Sequence, residues 1–384
     1  MPTTRTQGLA LALAVALTLG ACGSDTTDEG AGSTTTAVSR DTATTVDETS
    51  DTAETAETTE TDSDAGTTAS GTANTDEVVA AAEALMATLS DDEMAALQFE
   101  FGDASLASTW SNLPACGDSA RPGIAYGDLT DDQLAAALAV SEATLSDEGY
   151  LEYTQIIAAD DVLGASGGGR GGETTWDSDC YYLAFYGTPS ETDEWAIMFG
   201  GHHYARIMTY TGEVATITPA FTGVEPTSFE VDGETVEPLN DEVDGIFSIF
   251  TSLDDDQLSS AEIDGAFDDV LLGPGEDTFP DSEGVLGSEL SDDQKELVLT
   301  SVRTWIDDFD ASIADDAMAT VEAELDETSF AWAVSTDPSV QGAYARIDGP
   351  SAWIEVAIQS GVGGADVHYH SIYRNKTNDY GNAG

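Results

Sequence analysis

The chain has 384 residues, of which 74 are acidic and only 10 are lysine or arginine, so its formal net charge at pH 7 is −64. Contacts to phosphate groups need basic side chains, so this net charge excludes nucleic-acid binding as the function. Salt screens such self-repulsion over about 10 Å, so the composition predicts a fold adapted to saline or divalent-rich surroundings, as in halophilic organisms.

The first 21 residues are predicted to be a signal peptide. Arg5 precedes an apolar stretch, Leu9–Leu19, which is too short to cross a bilayer as a mature helix. The following LGAC, residues 19–22, resembles the lipobox of bacterial lipoproteins, whose cysteine carries the lipid. That resemblance implies a lipidated Cys22, a membrane anchor and a body on the extracytoplasmic face. An ordinary secretory signal with an incidental cysteine is the alternative.

Residues 22–75 are predicted to be a disordered tether behind the lipidated cysteine. The stretch is acidic and rich in threonine, and it has no aromatic residue. Such a segment cannot bury enough apolar surface to offset the entropy lost on ordering. The folded domain is therefore expected to run from residue 76 to residue 384.

Two cysteines remain in the predicted domain, Cys116 and Cys180. In an exported chain, two leftover cysteines favour a disulfide. The bridge would stabilise the fold by about 4 kcal/mol in the chain-entropy model. Two separate free thiols are the alternative.

Four acidic phrases of one kind are predicted to begin helices. In each, a Ser, Thr or Asp stands three residues before a Glu or Gln, which is the pattern of a capping box. The acids between them suit the positive end of a helix dipole, and the spacing of a calcium-binding EF-hand is absent. The phrases are LSDDE (89–93), LTDDQ (129–133), LDDDQ (253–257) and LSDDQ (290–294). Apolar residues at helical spacing predict helices over 78–89, 133–145, 148–159, 258–267 and 294–309.

Two blocks rich in aromatic and β-branched residues are predicted to be strands, Cys180–Phe221 and Ser329–Arg374. Helices that stand before and between such blocks are typical of α+β proteins. The sequence therefore predicts an antiparallel sheet of hairpins and a meander, with the capped helices packed on it, in a single large domain. The two blocks either pair into one sheet or form two packed halves.

All four histidines lie in two tight pairs and are candidate metal ligands. His368 and His370 would point to the same face of a strand, because side chains alternate. His202 and His203 are adjacent and would face opposite sides, so one of them can join the other pair. Three imidazoles completed by a carboxylate suit Zn²⁺, Fe²⁺ or Cu²⁺.

Glu355 is the candidate carboxylate, as a ligand or as a general base. A hairpin centred between Val362 and Gly363 would place Glu355 opposite His370. A one-residue slip would move the acid to the other face. Asp379 is a second candidate to complete the site.

The interpretation as a metal site has two alternatives. Arg206 and Arg374 are two of few basic side chains and lie near the histidines in sequence, so they could bind an anionic substrate while a histidine acts as acid or base. The histidines could also be structural.

The resulting hypothesis is an exported lipoprotein that acts as a metal-dependent hydrolase. Its alternatives are a non-catalytic lipoprotein that binds a small molecule, with Trp110 and Trp353 among the contacts, and an interaction protein of the envelope.

Three groups of phrases carry a family resemblance over residues 76–384. They are TWSNLPA with RPGIAYGDLTDDQ, DCYYLAFYGTPS with WAIMFGGHHYA, and IDGPSAWIEVAIQSG with HYHSIYRNKTNDYG. In these phrases the chain resembles the bacterial family catalogued as domain of unknown function 3500. The resemblance implies one large domain, often exported, and brings no established activity and no catalytic residues.

Overall fold

A computed structural model of the protein describes residues 73–102, 110–114, 121–166, 176–231, 233–361 and 367–382. Residues Gly66–Gly384 form one compact unit. The predicted signal peptide, Cys22, most of the tether and Cys116 lie outside the described residues. None of the helices in these ranges combines the length and the apolar character that a membrane span requires.

Eight α-helices occur in the described residues. They are α1 (Thr75–Met86), α2 (Asp91–Leu97), α3 (Asp131–Thr144), α4 (Asp147–Ala165), α5 (Asn240–Thr251), α6 (Asp255–Ala261), α7 (Asp292–Ile306) and α8 (Ala311–Glu324). All four predicted capping boxes are present, at the starts of α2, α3, α6 and α7. The acidic phrases therefore begin helices, because each satisfies two backbone N–H groups that a helix N-terminus leaves unpaired.

Fourteen strands occur in the same ranges. The first seven are β1 (Gln98–Phe99), β2 (Ile124–Ala125), β3 (Tyr182–Tyr186), β4 (Glu194–Gly200), β5 (Tyr204–Thr211), β6 (Val214–Thr216) and β7 (Ala220–Val224). The others are β8 (Phe229–Val231), β9 (Glu234–Val236), β10 (Val285–Leu286), β11 (Ser329–Ala333), β12 (Tyr344–Asp348), β13 (Ala352–Ser360) and β14 (Val367–Asn375). Strands β8 and β9 form a separate hairpin, and the other twelve form one sheet.

The two predicted strand blocks join into this one sheet, so the α+β prediction is confirmed. Its main path runs β1-β3-β4-β5-β7-β14-β13-β12-β11-β10, and β7 pairs with β14 where the blocks meet. The prediction of a purely antiparallel sheet was wrong, because β1 pairs with β3 in parallel. The chain enters β1 directly from α2 and not through a hairpin, and a tight hairpin is what would impose the antiparallel direction.

One helix prediction needs correction, and two helices were not predicted. The helix expected over 258–267 ends at Ala261, because the next residue, Glu262, forms an isolated parallel bridge with Trp332. The other predicted helices are confirmed with shifted ends, but α5 and α8 were not predicted. Helix α5 begins without a side-chain cap. Helix α8 is capped by Asp310, which accepts from the Ser312 N–H, but it lacks the capping box that marked the predicted helix starts.

The sheet separates two apolar layers. Side chains alternate along each strand, so Leu183 and Phe185 face a layer built with the helices, whereas Ala184 and Tyr186 face the other side. The helical layer is tied down by the indole of Trp305 in α7, which donates to Ser371 Oγ of β14 at 2.7 Å. Irregular segments cover the second face.

Candidate functional site

The four histidines meet at one end of the central strands. His202 and His203 form the turn between β4 and β5, and His368 and His370 lie on β14. Strand β7 pairs with both β5 and β14 and thereby joins the two pairs. The imidazole centroid of His203 lies 5.2 Å from that of His368 and 5.7 Å from that of His370. The sheet therefore assembles residues that are far apart in the sequence.

A glycine makes room for these rings. Gly223 of β7 pairs with His370, and its N–H donates to the carbonyl of His203 at 2.7 Å. A Cβ atom at this position would lie 2.8 Å from His370 Cδ2 and 2.9 Å from His203 Cδ2. Any larger residue would push the imidazoles apart.

Three of the histidines present converging nitrogen atoms. One ring nitrogen each of His203, His368 and His370 lies within 4.8 Å of those of the other two, and all three residues are buried. His368 Nε2 and His370 Nε2 are 2.8 Å apart, so one of them donates to the other. His203 Nε2 is buried and has no hydrogen-bond partner among the described residues. A lone nitrogen of this kind is suited to a metal ion.

Each of these imidazoles faces a carboxylate on its other nitrogen. His203 Nδ1 donates to Asp160 Oδ1 at 2.9 Å, and His370 Nδ1 donates to Asp269 Oδ1 at 2.7 Å. His368 Nδ1 lies 3.7 Å from an oxygen of Glu225. A carboxylate only accepts, so Asp160 and Asp269 fix the tautomers of His203 and His370 in which Nδ1 carries the proton and Nε2 keeps its lone pair. The His368 Nδ1 atom is too far from Glu225 for a hydrogen bond, and His368 Nε2 is the donor to His370 Nε2. Metal-binding histidines usually have such a partner.

His202 takes a different position from its neighbour. Its Nδ1 lies 3.2 Å from Asp160 Oδ1, and its ring lies against that of His203 with centroids 3.6 Å apart. With Asp160 and His203 it forms a second possible ligand group. In that group the contacts are already hydrogen bonds to one shared carboxylate. The geometry thus brings His203, and not His202, together with His368 and His370.

The protonation of the site suits metal binding. Burial lowers the pKa values of His203, His368 and His370, so these rings are neutral near pH 7. Burial alone would raise the pKa of Asp160, but the adjacent His203 and His202 hold it below its usual value. Asp269 behaves in the same way beside His370. Neutral imidazoles backed by ionised carboxylates are the state that a metal requires.

Glu355 does not lie beside the histidines. The predicted register was wrong by two residues, since β13 and β14 pair Ala357 with His370 and Glu355 with Ile372. A shift of two keeps the acid on the same face but moves it along the strand. Its oxygens accept from the backbone N–H groups of Leu271 and Leu272 at 2.9 and 2.8 Å. Glu355 is therefore placed to hold that segment on the sheet.

Arg206 lies in a separate cluster of buried carboxylates. It contacts Asp308 directly, and its Nη2 lies 3.4 Å from Glu152 Oε1. Glu242 completes this acidic group with Glu152 and Asp308. Burial raises the pKa values of Glu152 and Asp308 well above their usual values, and it raises that of Glu242 to about 7. The positive charge of Arg206 therefore compensates the negative charge of these buried carboxylates beneath the helices. Its guanidinium does not contact the imidazoles.

Arg374 secures the C-terminal segment. Its Nε donates to Asp379 at 2.6 Å and its Nη1 to the carbonyl of Leu272 at 2.7 Å. Asp379 is thus engaged away from the histidines. Trp110 donates to the hydroxyl of Tyr380 at 3.0 Å on the same side. The two arginines and the histidines consequently form three separate sites.

Sequence reasoning missed the three carboxylates, Asp160, Glu225 and Asp269, and also Gly223. Nothing in the spacing of the acids marks them among the 74 in the chain. Gly223 had a weak signal, because an isolated glycine inside a strand often marks a close approach of other atoms. Cys180 is buried, whereas Cys116 lies outside the described residues, so their pairing stays a prediction.

Comparison with known proteins gives one result. The model of a family described as "Protein of unknown function (DUF3500)" matches residues 71–382. No curated protein and no solved structure is similar enough to this chain to count as a match. The family match includes all four histidines and their carboxylate partners, and the chain therefore belongs to the DUF3500 family.

Proposed function

We propose that this protein is an exported lipoprotein that acts as a metal-dependent hydrolase. The observation that carries the proposal is the convergence of His203, His368 and His370, of which the first and the last are hydrogen-bonded to a carboxylate through Nδ1. Three protein ligands are the usual set in catalytic zinc sites, where the remaining position serves the reaction. A bound divalent metal supplies Lewis-acid chemistry to such a site.

The donor set favours particular metals. Imidazole nitrogen suits Zn²⁺, Fe²⁺ and Cu²⁺, whereas Ca²⁺ and Mg²⁺ take oxygen ligands. The carboxylates of Asp160 and Asp269 would hold the Nδ1 protons and keep the rings oriented. The side chain of Asp269 is 45% exposed, which makes it a link between the buried His370 and solvent.

The enzymatic proposal predicts metal-dependent cleavage. The full chain, stripped with a chelator and reloaded with Zn²⁺, Fe²⁺ or Cu²⁺, is expected to hydrolyse at least one nitrophenyl ester or phosphoester. Asp269→Asn is expected to lower metal affinity by about 10–100-fold, because it removes the partner of His370. Asp268→Asn, at an exposed neighbour, is the matched control. A chain that binds metal but cleaves none of these substrates would contradict the hydrolase.

The lipoprotein proposal has a separate test. It is supported by the apolar stretch before Cys22 and by the acidic tether behind it. A bacterium that expresses the full chain is expected to incorporate labelled palmitate into it and to retain it in the membrane fraction. Cys22→Ser should release the protein from that fraction. Equal membrane retention of both chains, without label, would mean that Cys22 carries no anchor.

A further inference from the structure

The two halves of the domain repeat one order of elements. Helices α1 and α2 precede β2, α3, α4, β3, β4, β5 and β7 in the first half. Helices α5 and α6 precede β10, α7, α8, β11, β12, β13 and β14 in the second half. Helix α1 packs on α3 as α5 packs on α7. The four capping phrases fall two to each half at matching places, so one architectural unit occurs twice.

Individual hydrogen bonds are also repeated in the two halves. Gln133 Nε2 donates to the carbonyl of Thr88 at 3.2 Å, and Gln294 Nε2 donates to that of Ser252 at 2.9 Å. Each pair links the N-terminal part of one helix to the residues that follow an earlier helix.

The parallel edge pairing and one strained glycine also repeat. The parallel pair of Gln98 with Phe185 corresponds to the parallel bridge of Glu262 with Trp332. Gly123 has φ +108° and Gly284 has φ +115°, and each lies just before the short strand that precedes α3 or α7. A Cβ at either glycine would lie within 2.3 Å of a carbonyl oxygen of the neighbouring strand.

The halves are related by an approximate twofold axis. Between its two terminal strands the main path of the sheet reads in equivalent order from both ends, β3-β4-β5-β7 and β11-β12-β13-β14, and β7 meets β14 antiparallel at the centre. In the helical layer, Leu145 bridges Phe309 antiparallel. Both residues stand two positions before the second long helix of their half, so the bridge joins equivalent positions. The histidine site, which lies off this axis, must therefore have an equivalent position in the other half.

Backbone contacts identify that position. The N–H of Gly223 donates to the carbonyl of His203, and in the other half the N–H of Lys376 donates to that of Ser351, both at 2.7 Å. Ser351 thus stands where His203 does. Its hydroxyl donates to Glu324 Oε2 at 2.5 Å, as His203 donates to Asp160. The second half therefore keeps the carboxylate and replaces the imidazole by a hydroxyl.

The other two imidazoles are also replaced by smaller side chains. Strand β6 pairs with β5 as the start of β14 pairs with β13, which places Thr216 at the position of His370 and Val214 at that of His368. An open cleft of about 440 Å³ lies here, lined by Thr216, Val214 and Ser351 among others. The cleft is the volume that the smaller side chains leave.

The lining of this cleft has a definite chemistry. Apolar side chains are contributed by Ile217, Ile313 and Val321. Carboxylates come from Glu213, Asp316 and Glu324, and no lysine, arginine or histidine is among the described residues that line it. The hydroxyl oxygen of Thr216 is buried and makes no hydrogen bond within the described residues. Buried polar atoms normally have a partner, so this hydroxyl points to a polar ligand.

We propose that this cleft is a second binding site, for an organic ammonium ion. The ammonium group donates to Glu324 and to the hydroxyl of Thr216, and the hydrocarbon part lies on the apolar residues. The carboxylates exclude anionic ligands, because like charges in a cleft repel. The site contains none of the four histidines, so it stands independently of the proposed hydrolase.

The probe for this site is n-hexylammonium, titrated into the full chain by calorimetry at physiological ionic strength. Saturable binding at one site in the submillimolar range is expected. Glu324→Gln should weaken it at least about tenfold, because a charge-assisted hydrogen bond is lost. Glu322→Gln, an exposed acid on the same helix, is the matched control and should leave binding unchanged.

A second variant keeps the test independent of any disturbance at Ser351. Ala317→Leu fills the cleft from the half-buried face of α8 and should abolish binding without removing a charge. The metal content of both variants should equal that of the parent chain, which separates this site from the histidine site. Absence of hexylammonium binding would overturn the proposal, as would equal binding of hexan-1-ol or indifference to both variants.

Discussion

His370→Ala is expected to bind Zn²⁺ more than 100-fold less tightly than the parent chain. The variant removes one of three converging nitrogens and also leaves the carboxylate of Asp269 without its imidazole partner. Loss of a supporting partner alone costs metal-binding histidine sites about 10–100-fold, and loss of a ligand should exceed that. The measurement is a competition with a chromogenic chelator, supported by elemental analysis of the purified full chain.

The adjacent His202 supplies the control. His202→Ala removes an imidazole of equal size from the same turn but leaves the group of His203, His368 and His370 intact. It should retain near-stoichiometric metal, whereas His203→Ala should lose it. If the parent chain takes up no Zn²⁺, Fe²⁺ or Cu²⁺, or if His202→Ala and His370→Ala lose metal equally, the three-histidine site is wrong.

Arg206→Met is expected to destabilise the fold by about 3–5 kcal/mol near pH 8, which is the usual cost of breaking a buried ion pair by removing one partner. The guanidinium is buried and contacts both Asp308 and Glu152. Its loss would leave the carboxylates of Glu152, Glu242 and Asp308 close together without a compensating charge. The measurement is chemical denaturation of the full chain, monitored by tryptophan fluorescence.

The loss of stability caused by Arg206→Met should depend on pH. A carboxyl with a raised folded-state pKa binds a proton more readily in the native state than in the unfolded state. Stability from such a group is therefore present at low pH and falls as pH rises through the folded-state pKa. For Glu242 this window runs from its ordinary value near 4.5 to about 7. Without Arg206 the carboxyls hold protons more strongly still, so the deficit should be smaller at pH 5 than at pH 8.

Arg303→Met is the matched control for this prediction. Arg303 pairs with Asp307 one helical turn away, and the two side chains are 48% and 40% exposed, so solvent screens the pair and the cost should stay below about 1 kcal/mol. Equal destabilisation by the two variants would show that the buried cluster has no special role. A deficit that is independent of pH would show that its carboxyls do not titrate differently in the native and unfolded states.

The two halves of the domain give the histidine site a context. A repeated unit offers two equivalent positions, and in this chain one holds three imidazoles while the other holds Ser351, Thr216 and Val214. The carboxylate contributed by the second long helix is kept in both, as Asp160 and as Glu324. The architecture thus places a carboxylate at each position, and the residues around it decide what can bind there.

Local features of this fold could be predicted from the sequence. The capping boxes at Ser90, Thr130, Asp254 and Ser291 depend on residues three positions apart, and all four form as expected. The strand blocks were predictable because an aromatic and β-branched composition suits a buried sheet. The parallel pairing of β1 with β3 could not be predicted in this way, because the direction of a strand depends on the route of the connecting chain.

The class of fold and the starts of the capped helices follow from local patterns in the sequence, and the two histidine pairs mark where chemistry is expected. Which atoms meet at that place depends on the tertiary structure. An error of two residues in the predicted register placed Glu355 opposite His370, whereas in the structure it pairs with Ile372. The tertiary structure also decided that Asp160, Glu225 and Asp269, out of 74 acids, support the imidazoles. The physical reason is that each contact joins segments far apart in the chain, and their meeting is set by the packing of the whole sheet and not by local pattern.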